Sequence, residues 1–430
     1  MKQHPRRHRT GIGWRVPTWV VAISVIAALG SMTTDAARRG ISLVWHVESS
    51  DGESLDSSRA DESINPASII KVATSLWALE RLGPRHRFET IVGFSGELDE
   101  DSGVLDGDLI VVGGADPDFH VENAFLVARA LNRAGIETVT GRLVVVSDFW
   151  IGWEGGSEGT LSDPDRRAQR MALRLRDAID YRRWNRGTRR EWARFVARRE
   201  IPASPKPRVV VLDGVDTSRD PVPFTAVLVH QSNELVNILK RFNTYSNNDI
   251  ERLGTSLGSS GDLASFLIAR WELPDNGTKI ETLSGLGTNR MTPREVVRLM
   301  HDLRATCRRV GIQVDDVLPV AGCDPGTMQA FSRLVSGPAS KVLIGKTGTL
   351  TYTDDGITAL AGFVHTPEGE LTFCVAAPRS SGRISSARYA EESWLLDRIN
   401  DHGGPQARTC GLSPWHSDAD AKVVVGSGLE

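Results

Sequence analysis

Ser68 and Lys71 stand three residues apart, the spacing that puts two side chains on one face of a helix. A serine hydroxyl is a poor nucleophile until a base takes its proton. Lysine becomes that base only when burial, the positive end of a helix or a second cation lowers its pKa. An S-x-x-K tetrad alone is usually no more than a helix face, so its partners decide the matter. Two candidates follow in the chain, Ser246-Asn247-Asn248 and Lys346-Thr347-Gly348-Thr349. A serine and an asparagine two apart in a loop can face one cleft. The hydroxyl would relay a proton and the amide would hold a substrate carbonyl. A lysine and two hydroxyls on a strand can bind a carboxylate, while Gly348 leaves room for substrate backbone. Lys346 would also help depress the pKa of Lys71, because two close cations disfavour protonation of both. The S-x-x-K and the K-T-G each occur once; the second S-x-N, Ser63-Ile64-Asn65, precedes the helix and is out of order.

The elements that must position these residues are legible in outline. Asn65 is a good N-cap and Pro66 a good first helical residue, so Ser68 is expected in the first turn of a helix. Most residues after Lys71 are apolar, which suits a helix surrounded by protein, and Gly83-Pro84 stops it. Ahead of it, 41–47 is strand-like and 49–52 a turn. From Phe88 to Asp148 short strands alternate with glycine-aspartate turns around one helix, 121–134, as in an inserted α+β unit. Helices are expected over 235–242, 261–271, 292–309 and 384–399, with a capping box at Thr292-Pro293-Arg294-Glu295. Residues 341–347 read as a strand, and 357–365 with 370–376 as a hairpin. Beyond His402 the glycine-rich, polar tail is expected to fray.

Between Trp150 and Pro205 arginines are interleaved with Trp184, Trp192 and Phe195. A basic patch for an anionic polymer or a membrane surface is one reading. Amphipathic helices with a solvated arginine face are the other, and the one preferred.

The chain of 430 residues can bury a sizeable core, and its net charge of −3 gives no pull toward nucleic acid. Basic residues in 1–15 followed by a mostly apolar run, 16–29, have the pattern of a secretory signal peptide, so export is expected. Four cysteines lack metal-site spacing. Export permits disulfides, and Cys307 with Cys323 is the preferred pair.

The three motifs, in this order, match the set found in β-lactamases and penicillin-binding proteins. The chain resembles the serine D-alanyl-D-alanine carboxypeptidase/endopeptidase family, the class C low-molecular-mass penicillin-binding proteins. The resemblance extends to Pro66 through Lys71, Leu82-Gly83 with Arg87-Phe88-Glu89-Thr90, and Gly107 through Pro117. It includes Ser284-Gly285-Leu286 with Thr292-Pro293, and Leu318 through Gly322 with Gly326-Thr327. It implies an α+β, β-lactamase/transpeptidase-like fold, an antiparallel sheet flanked by helices, with a module inserted between the first and second motifs. The division implied is a signal peptide at 1–30, a penicillin-binding domain from 31–90 and 220–401, an inserted part at 91–219 and a tail at 402–430. The implied substrates are peptidoglycan stem peptides ending in D-Ala-D-Ala, with β-lactams as covalent inhibitors and no metal or organic cofactor. In that family's terms Ser68 is the nucleophile, Lys71 the base and Ser246 a proton relay. Asn248 orients substrate, Lys346, Thr347 and Thr349 hold its carboxylate, and the N–H groups of Ser68 and Thr349 form an oxyanion hole.

Two departures stand out. Asp249-Ile250-Glu251-Arg252 replaces the alanine-glutamate pair usual after the second motif, and the arginine-rich stretch does not match the expected insertion. A class A β-lactamase would need a deacylating E-x-x-L-N loop after Ser246, and none is present. An esterase on the same fold would not need the clamp at Lys346, and a degenerate wall-binding protein would not need all three motifs. Asp116-Pro117 and Asp354-Asp355 read as turns, and the histidines as surface or hydrogen-bonded groups.

Overall fold

The computed structural model describes residues 40–146, 148–153, 163–273, 278–411 and 416–426. The signal-peptide expectation falls on 1–30, outside them.

Residues from both ends of the chain build a five-stranded antiparallel sheet. Its order is Leu343–Leu350, Ile357–Thr366, Gly369–Pro378, Val44–Ser49, Ser54–Ser58. The two-residue period of a strand sorts its side chains onto two cores. Ala359, Ala361 and Phe363 face one core, with Ile70 and Leu76 of the helix Ile70–Leu82 and Val297 of the helix Pro293–Arg309. Leu360 and Val364 face the other, with Leu395 and Ile399 of the helix Ile384–Asp401. With helices on both faces, the central strands are apolar almost without interruption. The strand Ser54–Ser58 was not expected, because Ser-Leu-Asp-Ser-Ser has little strand propensity; pairing with Val44–Ser49 across the turn at Asp51-Gly52 imposes it.

A second sheet of eight strands has its own core, including Leu109, Val111, Phe119, Leu131 and Leu175. The long hairpin Glu89–Asp99 and Val104–Val112 is its spine. Leu143–Val146 joins it in parallel, followed by Val215–Ser218, and Thr225–Gln231 pairs on the other side. The arginine-rich stretch forms two amphipathic helices, Pro164–Ile179 and Arg186–Arg198. Met171 and Leu175 of the first pack into this core, while Trp192 and Phe195 of the second close around Phe125 and Trp184. Several arginines meet carboxylates, as Arg198 and Arg199 do on Asp418. The structure therefore has the architecture of the solvated-face reading.

Two expectations fail. The disulfide joins Cys323 to Cys410, not Cys307 to Cys323. Cys307 lies on the inward face of the helix Pro293–Arg309, inside the main core, and burial pushes its thiol up to about 12. The segment beyond His402 is tied down where it is described. Lys422–Val425 adds an edge strand to Thr225–Gln231, and Asp420 accepts from Arg87 at 2.8 Å. Its polar residues looked like a solvated tail because their cationic partners lie hundreds of positions away.

Candidate active site

The turn carrying Ser68 is set by its neighbours more than by helix propensity. Asn65 Oδ1 accepts from Ala67 N at 3.1 Å, a local cap. Ala67–Ile69 then form a short 3₁₀ turn, and the α-helix begins at Ile70. Ser68 thus stands one turn ahead of the expected position within the α-helix. Ala67 has a φ of 50°, uncommon for a residue with a side chain. Two glycines hold it there. A Cβ on Gly285 would lie 2.1 Å from Ala67 O, and one on Gly348 would lie 2.6 Å from Pro66 O. No other residue type lets both strands of backbone close on the turn.

Lys71 is wholly buried, whereas Ser68 is half-buried. Three groups surround the amine. Ser68 Oγ is 3.2 Å away, Asn248 Oδ1 3.0 Å, and the carbonyl of Ser284 closes the third side. A neutral amine has two N–H donors and one lone pair. Asn248 and Ser284 offer acceptors only, so they take the two donors, and the lone pair is left for the Ser68 hydroxyl proton. Burial supports that state: it lowers Lys71 to about 7, although the Glu251 carboxylate pulls in the opposite direction. Lys346 is also fully buried. Desolvation, and then the nearby Lys71, push its pKa well below the usual lysine range.

The second motif sits at the end of the helix Leu235–Tyr245. Ser246 is left-handed there, with a φ of 54°. Lys240 fixes the helix from below, donating to Asp324 Oδ2 at 2.6 Å and to Leu318 O at 2.7 Å. Asn243 ties it to the helix Ile70–Leu82 through Ser75 Oγ at 3.0 Å. Lys346 Nζ donates to Ser246 Oγ at 3.0 Å, so the second and third motifs meet directly. Asn247 turns inward instead and caps Asp249 N at 2.9 Å. Behind it Asp249 is buried and pairs with Arg252 at 2.8 Å. Thr347 Oγ1 donates to Thr327 Oγ1 at 2.8 Å, and Thr349 Oγ1 to Gly348 O at 2.7 Å. Of the eight candidates, Ser68, Lys71 and Asn248 form one set of contacts and Lys346 and Ser246 a second, while Thr347, Gly348 and Thr349 lie on the strand that carries Lys346.

This arrangement can generate an alkoxide-like nucleophile, pass a proton to a second hydroxyl and grip an anion beside it. The profile of the D-Ala-D-Ala carboxypeptidase 3 (S13) family matches residues 26–163 and 206–391. The chain belongs to this family. A D-alanyl-D-alanine carboxypeptidase of Actinomadura sp. (strain R39) is 25% identical, over 88% of this chain and 85% of that protein. The predatory endopeptidase Bd3459 from Bdellovibrio bacteriovorus, solved with an immunity protein, is similar in structure. Its TM-score is 0.73 at 21% identity, covering 89% of this chain and 100% of that one. Penicillin binding protein 4 from Haemophilus influenzae, solved with a β-lactam, gives 0.59 at 18% identity, covering 86% of this chain and 99% of that one. At these identities the two structures speak for the fold. Like other members of the S13 family, the protein is a serine-type peptidase. The arginine-rich helices fall in the gap that the family profile leaves between 163 and 206.

Several residues that hold this S13 site were missed in sequence. Glu251 belongs to the segment that looked like a departure. Its two oxygens accept from Leu283 N at 3.1 Å and Ser284 N at 2.7 Å, and Thr74 Oγ1 donates to Leu283 O at 2.7 Å. Glu251 therefore fastens the loop whose carbonyl holds Lys71. Asp354, read as part of a solvated turn, accepts from Asn65 Nδ2 at 2.7 Å and pairs with Arg290 at 2.8 Å. It braces the cap of the turn that carries Ser68. The only signals in sequence were an acidic residue after the second motif and one after the third, neither at a spacing that names its partner.

Glu251 yields a test. Glu251→Ala leaves two backbone donors without their acceptor, at about 1–3 kcal/mol each, so a clear fall in melting temperature is expected. Glu251→Gln keeps an acceptor but removes the charge that raises Lys71. The acid limb of its acylation–pH profile should therefore move to lower pH.

Proposed function

We propose that this D-alanyl-D-alanine carboxypeptidase works through an acyl-enzyme on Ser68. The observation that carries the reading is the buried Lys71 amine, whose two carbonyl partners leave its lone pair to the Ser68 hydroxyl. Ser68 Oγ attacks the carbonyl carbon between the two D-alanines of a stem peptide, and its proton passes to Lys71 Nζ. Backbone N–H groups of Ser68 and Thr349 stabilise the oxyanion. As the C–N bond breaks, the leaving amine takes a proton through Ser246, which Lys346 holds. Asn248 orients the peptide. Lys346, Thr347 and Thr349 face the terminal carboxylate, and Gly348 admits the substrate backbone. Water then attacks the ester with Lys71 again as base, returning the serine. A β-lactam enters the same path, because its strained amide stands where the scissile peptide would and its carboxylate where the D-alanine terminus would.

Peptidoglycan lies outside the cytoplasm, so this reading places the protein there, in line with the N-terminal pattern.

Purified protein incubated with a stem pentapeptide ending in D-Ala-D-Ala is expected to release one equivalent of D-alanine per peptide. A parallel incubation with a D-amino-acid cross-linked dimer reports endopeptidase action. Binding of both without release of either product would defeat the reading in favour of a wall-binding protein with an inactive site.

A further inference from the structure

The carboxylate end of the site contains a cation that the three motifs do not include. Arg388 projects from the first turns of the helix Ile384–Asp401, and its Nη2 donates to Thr349 Oγ1 at 3.0 Å. Thr349 spends its own proton on Gly348 O at 2.7 Å. A hydroxyl has one proton, so in this arrangement Thr349 cannot also donate to a ligand. The side-chain donors left beside Thr349 are the guanidinium's remaining N–H groups.

The buried Glu391 carboxyl feels the charge of Arg388, but among the described residues no ion pair is made by Arg388. Its one hydrogen bond is to a neutral hydroxyl, and among the described residues no carboxylate pairs with it. Glu391, three residues further along the same helix, is fully buried and spends Oε1 on Thr358 Oγ1 at 2.6 Å. Burial pushes it up to about 8, so it is largely protonated at neutral pH. Thr358 in turn stands opposite Thr349 in the sheet, which places the Arg388–Thr349 pair directly over this buried contact. Desolvation, and Lys71 beside it, lower the pKa of Lys346, the lysine of the third motif. An arginine cannot be deprotonated under these conditions, and its planar fork matches a carboxylate.

We propose that Arg388 is the permanent cation of the carboxylate-binding subsite, its guanidinium bonding the free carboxylate of the substrate's terminal D-residue, or of a β-lactam, beside Thr347 and Thr349. The assignment rests on the Ser68 reading above. It makes Arg388 a specificity determinant for substrates with a free terminus, contributed by the C-terminal helix.

The test compares matched peptides ending in D-Ala-D-Ala with a free carboxylate or a C-terminal amide, on the wild type, Arg388→Gln and Arg388→Lys. For Arg388→Gln, kcat/KM on the free acid should fall about 10- to 100-fold, the range of a lost charge-assisted pair, while the amide changes less than twofold. Arg388→Lys should recover part of the preference for the acid. Equal losses on acid and amide would overturn the proposal in favour of a purely structural role, and so would an unchanged acid rate. A reactive ester lacking a carboxylate serves as an acylation control, followed by intact mass. If the wild type is not acylated by it or by penicillin, the Ser68 reading falls and this inference with it. If acylation is normal and Arg388→Gln keeps its acid preference, only the inference falls.

Discussion

Ser68→Ala is expected to fold normally and form no adduct with penicillin. The wild type, under the same conditions, should gain the mass of one β-lactam per chain. Ser68 is half-buried and its hydroxyl bonds the Lys71 amine, so its removal opens no core cavity. Stability should change by less than about 1 kcal/mol, within the range of a single polar truncation at a partly exposed position. Turnover should fall by at least about 10³-fold, because a covalent route is lost and the surviving groups only bind and polarise. Intact-mass spectrometry after incubation with penicillin, beside a thermal melt, separates this from unfolding. A variant that still takes up one β-lactam would place the nucleophile elsewhere.

The second large effect is in pH. With Lys71 lowered to about 7, the neutral amine is the minor form below that pH and the major form above it. Acylation should therefore rise with pH, roughly tenfold per unit below about 6.5, and level off above about 7.5. An unshifted lysine would carry the same rise up to about pH 10 before it levels off, so the position of the plateau is diagnostic. Lys71→Met should remove the limb and lower acylation about 10³-fold, in line with a lost general base. Its stability has the opposite tendency. Across the window from about 10 down to 7 the lysine of the unfolded chain is protonated and the folded amine is not. The wild type therefore loses stability as pH falls through that window, and the loss levels off below about 7. The melting temperature of Lys71→Met, relative to wild type, should accordingly be more favourable at pH 7 than at pH 10.

Most of the candidate site was legible because it is written in short spacings. A serine three residues before a lysine must share a helix face, an Asn-Pro pair starts a helix, and alternating apolar residues must face a core whatever covers it. Thr292 and Glu295 form the expected capping box, with Glu295 N on Thr292 Oγ1 at 3.1 Å. The helices expected at 121–134, 261–271 and 384–399 end within a few residues of those observed. The 3₁₀ turn at Ser68 is the exception that marks the site. Its conformation comes from Gly285 and Gly348 pressing on it, not from local propensity.

The amino-acid order, then, determined the candidate nucleophile, its candidate base and the two later motifs, together with the helices and strands that carry them. Which carbonyl meets the Lys71 amine, which carboxylate holds that carbonyl's loop, which cation reaches Thr349 and which cysteine finds Cys323 were settled by folding. Ser284 lies 213 positions from Lys71, and Cys410 lies 87 from Cys323. Contacts across such intervals depend on how sheets and helices stack, and one-dimensional spacing places no constraint on them. The depressed pKa of Lys71 belongs to the same class: the residue type permits it, but only enclosure by elements from three parts of the chain strips the amine of water and produces it.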